Sequence, residues 1–582
     1  MRFPENELRS TACWALRPGL GRVVLFFTLS AVCFESRAKT ESPAESLQNR
    51  IAKALIAHRE QTAQPDKAWG REQALELEGM SAAWYNTANG DDYRYVKNAV
   101  DQYLDAVQKG QEEKPGDAAM GEPVLLVYRV TLQPKYYEAA AKLRAEASLH
   151  CEKVGSNSES SCPDAPFLAE FAAVFQDPEA FAAITRALVQ WDQKNLQTKD
   201  NADRSRGDFN SFGWEAKSIV DALPFYSASD PGREELLRIL RRIAALQPAS
   251  APRSDAGLLA YARMKGARLG YLPEAESKHA ETVWNALQAR LLKTDAAGGL
   301  LLDDSTGAVL LTAAEAEHVS TASIARNKTA VMDAWFNSQE RKNAAGQMEL
   351  FHYKWDDRAD SGYSLLGHML RGYGMRTTLL AAEPTAENLR LANYYFIASP
   401  DIPVKNPNPH YMTEAYAAVV AAWVKQGGVL VMMENDPPNA DIEHLNLLAD
   451  RFGIHFDNVL HHHILGEQVA DGTIPVAPGG PLFEHAHTLY MKDTCAISLR
   501  GEGQVLLRDR GDIVMASIKF GRGTVFAAVD PWVYNEYTDG RKNPKIYGQF
   551  DNFAGGMEFV RWLAHQGPPT RTGTGTKQKE QP

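Results

Sequence analysis

The chain has 582 residues, with 44% hydrophobic, 9% aromatic and 23% charged positions, a composition that excludes a mainly disordered, collagen-like or disulfide-scaffold protein. Its length allows several cores. The net charge is −11 although the first 38 residues carry five Arg against three Glu, and a polyphosphate partner needs clustered Lys and Arg, so nucleic acid is not an expected ligand.

The first element is Val23 to Phe34, an apolar run of 12 residues preceded by Arg2, Arg9, Arg17 and Arg22 and followed by Ser36-Arg37-Ala38. Such a run is too short to cross roughly 30 Å of hydrocarbon as a helix. A basic region, a short apolar region and small residues at the −3 and −1 positions describe a secretory signal over 1–38, ending at Ala38. A buried N-terminal helix is the alternative. The signal implies a periplasmic or secreted protein with no integral membrane span after its removal. Ser30-Ala31-Val32-Cys33 lacks the residues of a lipoprotein signal, which favours free export.

Beyond the signal only Cys151, Cys162 and Cys495 remain, without a CxxC pair for zinc or redox work. Cys151 and Cys162, eleven apart in HCEKVGSNSESSC, close a disulfide in an oxidising compartment or stand as two free thiols. Cys495 is left unpaired.

Between 42 and 325 apolar residues recur at helical spacing, as in Tyr93, Val96, Val100, Tyr103, Leu104 and Val107, or Leu236, Leu240 and Ile243. Asp230 before Pro231 supplies an N-cap and a first-turn proline, and Gly270 and Pro273 stop the helix that carries Leu258 and Leu269. Twelve runs follow, near 42–63, 71–88, 93–109, 119–132, 135–150, 164–175, 177–196, 212–226, 231–247, 254–269, 275–293 and 310–324. Twelve helices with short links suit a closed ring of six hairpins.

After 328 the rhythm changes: β-rich runs at Val331 to Phe336, Arg376 to Leu380, Tyr394 to Ala398 and Val429 to Met433 alternate with helical stretches at 361–374, 384–392, 412–426 and 439–452. Alternation of this kind predicts a parallel α/β sheet over 328–566. Ile513 to Ile518 and Thr524 to Val529 read as a late hairpin, and 567–582 as a disordered Gly/Thr/Lys/Gln-rich tail.

Five phrases carry a resemblance: AWGREQALELEGMSAAWYNTANGDDYRY (68–95), GEPVLLVYRVTLQPKYYEAAAKLRAEA (121–147), DAPFLAEFAAVFQDPEAF (164–181), FGWEAKSIVDALPFY (212–226) and AGLLAYARMKGARLGYLP (256–273). In order and style they resemble the unsaturated rhamnogalacturonyl and glucuronyl hydrolases, glycoside hydrolase families 88 and 105. The resemblance implies an all-α (α/α)6 barrel over 42–325. HYKWDDRADSGYS (352–364), GGVLVMMENDPPN (427–439) and DPWVYNEYTDGRKNP (530–544) resemble the amidotransferase-like domain, a three-layer α/β fold, found behind some of these barrels.

That family implies an oligosaccharide substrate ending in a 4,5-unsaturated uronate, as polysaccharide lyases leave on pectin and related chains, and no cofactor. A carboxylic acid protonates the enol ether, water adds to the oxocarbenium ion, and the hemiketal opens to release the next sugar. Carried over by position, Asp117 fits one family acid. The phrase holding the principal acid is absent, and Glu159 and Asp164 stand nearest to its place, with His150 upstream. Trp69, Trp84, Trp214 and Arg206 are the corresponding ring-floor and uronate-binding candidates. A His-Gly-Trp-Asp type loop is replaced by DQKNLQTKDNADRS, and a Trp-Tyr-Gln phrase is cut to PASAPRS.

Each candidate has a structural alternative. Asp117 and Asp164 suit helix starts, Glu159 a solvated loop, and Trp69, Trp84 and Trp214 a core. Successive side chains of His461-His462-His463 cannot all face one ion, so no metal site is expected. Glu434, not Cys, follows the Val429 to Met433 strand, which argues against glutaminase activity. Glu434, Asp436, Asp530, Trp532 and Tyr534 either line a pocket at the strand ends or pack as a loop. The reading is an exported glycoside hydrolase of the unsaturated uronyl type; the alternative is a catalytically decayed barrel that binds carbohydrate or a partner.

Overall fold

A computed structural model describes residues 45–567 except 62–68, 111–117, 153–161, 198–211, 247–252, 292–293, 295–299, 304 and 467; for 150, 253–254 and 289–291 it describes only the backbone. Among the described residues the first half holds twelve α-helices of two kinds. Six are one-faced. In α3 (Gly90–Gln108) Tyr93, Val96, Val100 and Tyr103 turn inward, and in α9 (Pro231–Ala244) Leu236, Leu240 and Ile243 do. Their charged faces stay in water. The others of this kind are α1 (Leu47–Gln61), α5 (Pro134–Glu152), α7 (Pro178–Asp192) and α11 (Glu274–Leu291).

The second kind is apolar nearly all round, which marks a helix covered on every side. In α12 (Thr306–Ala316) every residue from Thr306 to Glu315 is buried, and α6 (Ala165–Phe175) and α8 (Phe212–Ala222) are close to that. With α2 (Arg71–Thr87), α4 (Gly121–Thr131) and α10 (Arg253–Arg268) they form an inner ring. Each touches the next, and α12 returns to α2, so the ring closes. The closing contact is tight: a Cβ on Gly307 would stand 2.6 Å from the backbone nitrogen of Glu76. The outer helices pack behind, giving the expected (α/α)6 barrel. Asp230 caps α9 as expected, its Oδ1 accepting from the Gly232 N–H at 2.8 Å.

The second half is built on a nine-stranded mixed sheet, order β4-β1-β5-β6-β13-β12-β10-β7, with β11 on β12, and β2 (Glu340–Lys342) with β3 (Met348–Leu350) and β8 (Thr473–Val476) with β9 (His487–Tyr490) form separate two-stranded ribbons. The strands at its parallel end are β1 (Thr329–Asp333), β4 (Arg376–Leu380), β5 (Tyr394–Ala398), β6 (Val429–Met433) and β13 (Gly523–Ala528). β12 (Asp512–Phe520), β10 (Thr494–Leu499), β7 (Ile454–His461) and β11 (Gln504–Asp509) continue it antiparallel. The expected hairpin is β12–β13, turning between Phe520 and Gly523. Strand order reverses between β1 and β5. Right-handed crossovers therefore put α13 (Ser364–Gly372) and α14 (Glu414–Lys425) on opposite faces. α13 pairs with α16 (Asn552–Ala564) and touches α2, while α14 pairs with α15 (Ile442–Ala449).

Two expected helices differ. Residues 385–391 form successive turns, not a helix over 384–392: Leu389 N donates to Thr385 O, but Arg390 N and Ala392 N reach back only three residues. The run 310–324 is helical only to Ala316, where i→i−3 turns take over.

The described residues from Ser46 onward form one compact unit, because the α/β half sits on the C-terminal ends of the inner helices. Trp84 Nε1 donates to Asp539 O (2.8 Å), Ala344 N to Tyr128 OH (3.0 Å) and Gln347 Nε2 to Phe175 O (2.8 Å). Gly540, at φ 70°, and Gly90 meet backbone to backbone: a Cβ on Gly90 would run into Gly540 O, and one on Gly540 into Ala88 O.

Candidate functional site

The N-terminal ends of the inner helices form one mouth of the barrel. Asp117, Glu159 and Arg206 lie outside the described residues, and of His150 only the backbone, near the end of α5, is described. Asp164 stands just before α6, 3% exposed, but its side chain does not cap the helix. Trp214, at the start of α8, is half-buried with the Arg71 guanidinium 5.4 Å from its ring centroid. Asp164 and Trp214 are brought together, sharing a cleft of about 20 Å³ with Arg71, Glu78, Glu122 and Lys217. Trp69 is not part of it: buried and edge-on to Tyr103 at 5.8 Å, it packs in the barrel core. Cys151 and Cys162 are joined in a disulfide, with Cα atoms 4.7 Å apart, beside this mouth.

Deeper along the axis lies a cluster that the motifs did not reveal. Lys217, 3% exposed on α8, pairs with Glu78 (2.5 Å), Asp221 (3.2 Å) and Glu122 (3.5 Å). Asp221 also accepts from Lys265 Nζ (2.6 Å) and Tyr261 OH (2.8 Å). Three carboxyls thus share two ammonium groups, and low dielectric penalises the surplus charge. Burial, then the Glu78 charge, pushes Glu122 up to about 8. Burial raises Glu78 too. Asp221 stays low because the two lysines outweigh its burial, and burial of Lys217 is outweighed by its carboxylates, which raise it. Near neutrality Glu122 is therefore a proton donor beside an ionised Asp221. The sequence signal was the charge inside otherwise apolar inner helices, with Lys217 and Asp221 four apart on one face.

Beyond this cluster, toward the C-terminal mouth, the α/β half encloses a cavity of about 1050 Å³, lined on one side by Glu122, Asp221 and Tyr261 and on the other by Trp355, Arg358 and Arg371. That is large enough for an oligosaccharide. Its wall is charged. Arg129 and Arg358 hold Glu170 at 2.7 and 2.9 Å, and Arg268 clasps Glu315 through two bonds of 2.6 Å. Burial keeps His318 down at about 4, and His368, lowered likewise, bonds Asn86 Oδ1 at 2.7 Å.

The strand ends of the α/β half are packed. Glu434 and Asp530 are 0% exposed, Asp530 accepts the Lys492 and Trp532 N–H groups (2.8 and 2.7 Å), and Tyr534 stacks on Phe559 at 4.7 Å. DPWVYNEY is thus the packed loop. Cys495 is a buried free thiol. His461, His462 and His463 face three different carboxylates, Asp512, Asp509 and Asp493.

No protein-family model matches the chain, and no curated relative does. Solved structures similar to it include a family 105 glycoside hydrolase from C. acetobutylicum, at 17% identity over 47% of this chain and 99% of that one, with a TM-score of 0.35. A family 88 glycosyl hydrolase from Bacteroides vulgatus has 16% identity over 47% and 99%, TM-score 0.35. An inactive variant of an alpha-1,6-mannanase of Salegentibacter, in complex with alpha-1,6-mannotetrose, has 16% identity over 46% and 99%, TM-score 0.37.

Proposed function

We propose that the protein is an exported glycoside hydrolase of the unsaturated uronyl type, with Glu122 as the proton donor. The observation that carries this reading is the Glu122 carboxyl itself, raised to about 8 by burial and Glu78, next to Asp221, which stays ionised. Two carboxyls driven to opposite protonation states are what protonation of an enol ether and activation of water require. Asp164 and Trp214 flank the same acid in the N-terminal cleft, and the five sequence phrases support the substrate class. The Cys151–Cys162 disulfide supports an oxidising compartment. The amidotransferase-like kinship of the second half belongs to the same proposal and rests on its phrases and on the reversal of strand order at β1 and β5.

The test is decay of the enol-ether absorbance with a panel of lyase-generated disaccharides. Turnover that vanishes in Glu122→Gln supports the reading, and its absence from the unmodified protein across the panel sinks it. A second reading, a barrel that binds sugar without cleaving it, is favoured by one observation: the N-terminal cleft is about 20 Å³, far below the few hundred of ordinary ligand sites. Binding without turnover in the same panel selects it.

A further inference from the structure

In the wall of the C-terminal cavity most cations are matched. Arg129 and Arg358 share Glu170, Arg268 holds Glu315, Lys265 holds Asp221, and Arg341 holds Asp357 at 3.0 Å. Three guanidiniums depart from this pattern among the described residues: Arg376 is exposed and donates to Asn327 O at 3.5 Å, and the other two are half-buried. Arg371, on α13, has Thr377 Oγ1 at 2.9 Å and no carboxylate within 4.0 Å among the described residues. Arg233, on α9, lies 5.2 Å from the Tyr271 ring centroid, again without an ion pair among the described residues. Arg268, three residues before Tyr271, donates from Nη1 to Arg371 O at 3.4 Å, so the two half-buried unmatched charges and the matched one line one stretch of wall; burial raises the Tyr271 hydroxyl against the opposing pull of all three. Burial lowers Arg371, and of the charges around it Asp356 draws it up while Arg268 and Arg358 push it down.

Cations held in a partly desolvated wall without counter-charges are costly unless something supplies the missing anion. A guanidinium offers a planar fork of N–H groups matched to a carboxylate. The cavity is far larger than a lone anion needs, and Tyr85, Phe225 and Tyr271 give it aromatic surface of the kind that accepts sugar rings. We propose that the cavity between the barrel and the α/β half is a binding site for an acidic oligosaccharide, whose carboxylate is held by Arg371 and Arg233 at Tyr271. The site is separate from the N-terminal cleft, does not depend on hydrolysis, and takes one of its two arginines from the α/β half.

The experiment is isothermal titration of the full chain with saturated di- and trigalacturonate, with neutral galactose oligomers of the same length, and with acetate. Saturated sugars carry no enol ether, so the outcome is independent of turnover. The expected result is binding of the galacturonates, weakened by salt, and roughly tenfold or greater loss in both Arg371→Gln and Arg233→Gln. Melting without ligand supplies the second readout: removing an unmatched cation leaves Tm unchanged or raises it, whereas removing a structural arginine lowers it. Absence of galacturonate binding, equal binding of the neutral oligomers, binding by acetate as tight as by galacturonate, unaltered affinity in the two variants, or a lowered Tm in both would each overturn the proposal.

Discussion

The two mouths of the barrel are built from the same six inner helices and have opposite characters. At the N-terminal ends the cleft beside Asp164 and Trp214 holds about 20 Å³. At the C-terminal ends the α/β half roofs a chamber of about 1050 Å³ whose wall carries guanidiniums in excess. The axial cluster lies between them, and Glu122 lines both spaces. A ring of helices leaves two ends to be finished, and here the appended half, not the barrel, decides where room for a ligand exists.

The largest expected effect tests the partition itself. Glu122→Gln should lower hydrolysis about 10²–10⁴-fold, the usual contribution of a positioned acid, measured as initial rate of absorbance decay; an unchanged rate would move the acid to the N-terminal mouth alone. Next, Glu315→Gln should destabilise the chain by about 3–5 kcal/mol, because it leaves Arg268 buried without its counter-charge. Denaturant titration reads this, and Arg268→Met with Glu315→Leu should recover much of the loss. Equal stability of Glu315→Gln and the parent would show the chamber wall to be wetter than its burial implies.

Reduction of Cys151–Cys162 acts on the opposite mouth. Opening a loop of eleven residues' separation should cost about 3 kcal/mol of chain entropy, seen as a lower Tm, with galacturonate binding in the chamber intact. Loss of that binding on reduction would couple the two mouths. The smallest effect is in pH. Glu122, raised from its ordinary 4.5 to about 8, keeps its proton below that pH and loses it above, so activity should fall as pH rises through about 8. Stability carries the same sign: this contribution is full below pH 4.5 and lost as pH rises through about 8. Glu78→Gln removes a charge that holds Glu122 up, so the alkaline limb should move to lower pH; a limb that stays put would assign it to another group.

The helical and mixed α/β halves were legible because their signals are local. Periodic apolar residues marked the outer helices, and Asp230-Pro231 marked the start of α9. The stretch 384–392 misled because its apolar spacing suits a helix while its backbone bonds alternate between three- and four-residue reach. The antiparallel extension through β7, β10 and β11 escaped because half-exposed strands with bulges lack a clean alternation. The site was harder. Asp164 and Trp214 were reached through neighbouring phrases, but Glu122 and Lys217 sit inside helices whose complete enclosure depends on ring closure, and no single helix announces that. Arg371 was further still from view, since its meaning depends on a second half folding over the ring.

The glycine seam between Gly90 and Gly540 carries a consequence for how the chain can change. Because the halves touch there through main chain alone, side-chain drift elsewhere leaves the joint in place, yet any residue larger than glycine at either position would wedge the roof off the ring. The chamber is therefore guarded by two positions that never touch its contents. Swapping in a different roof, in nature or by design, would require a donor that brings its own bare-backbone corner to the turn after α2.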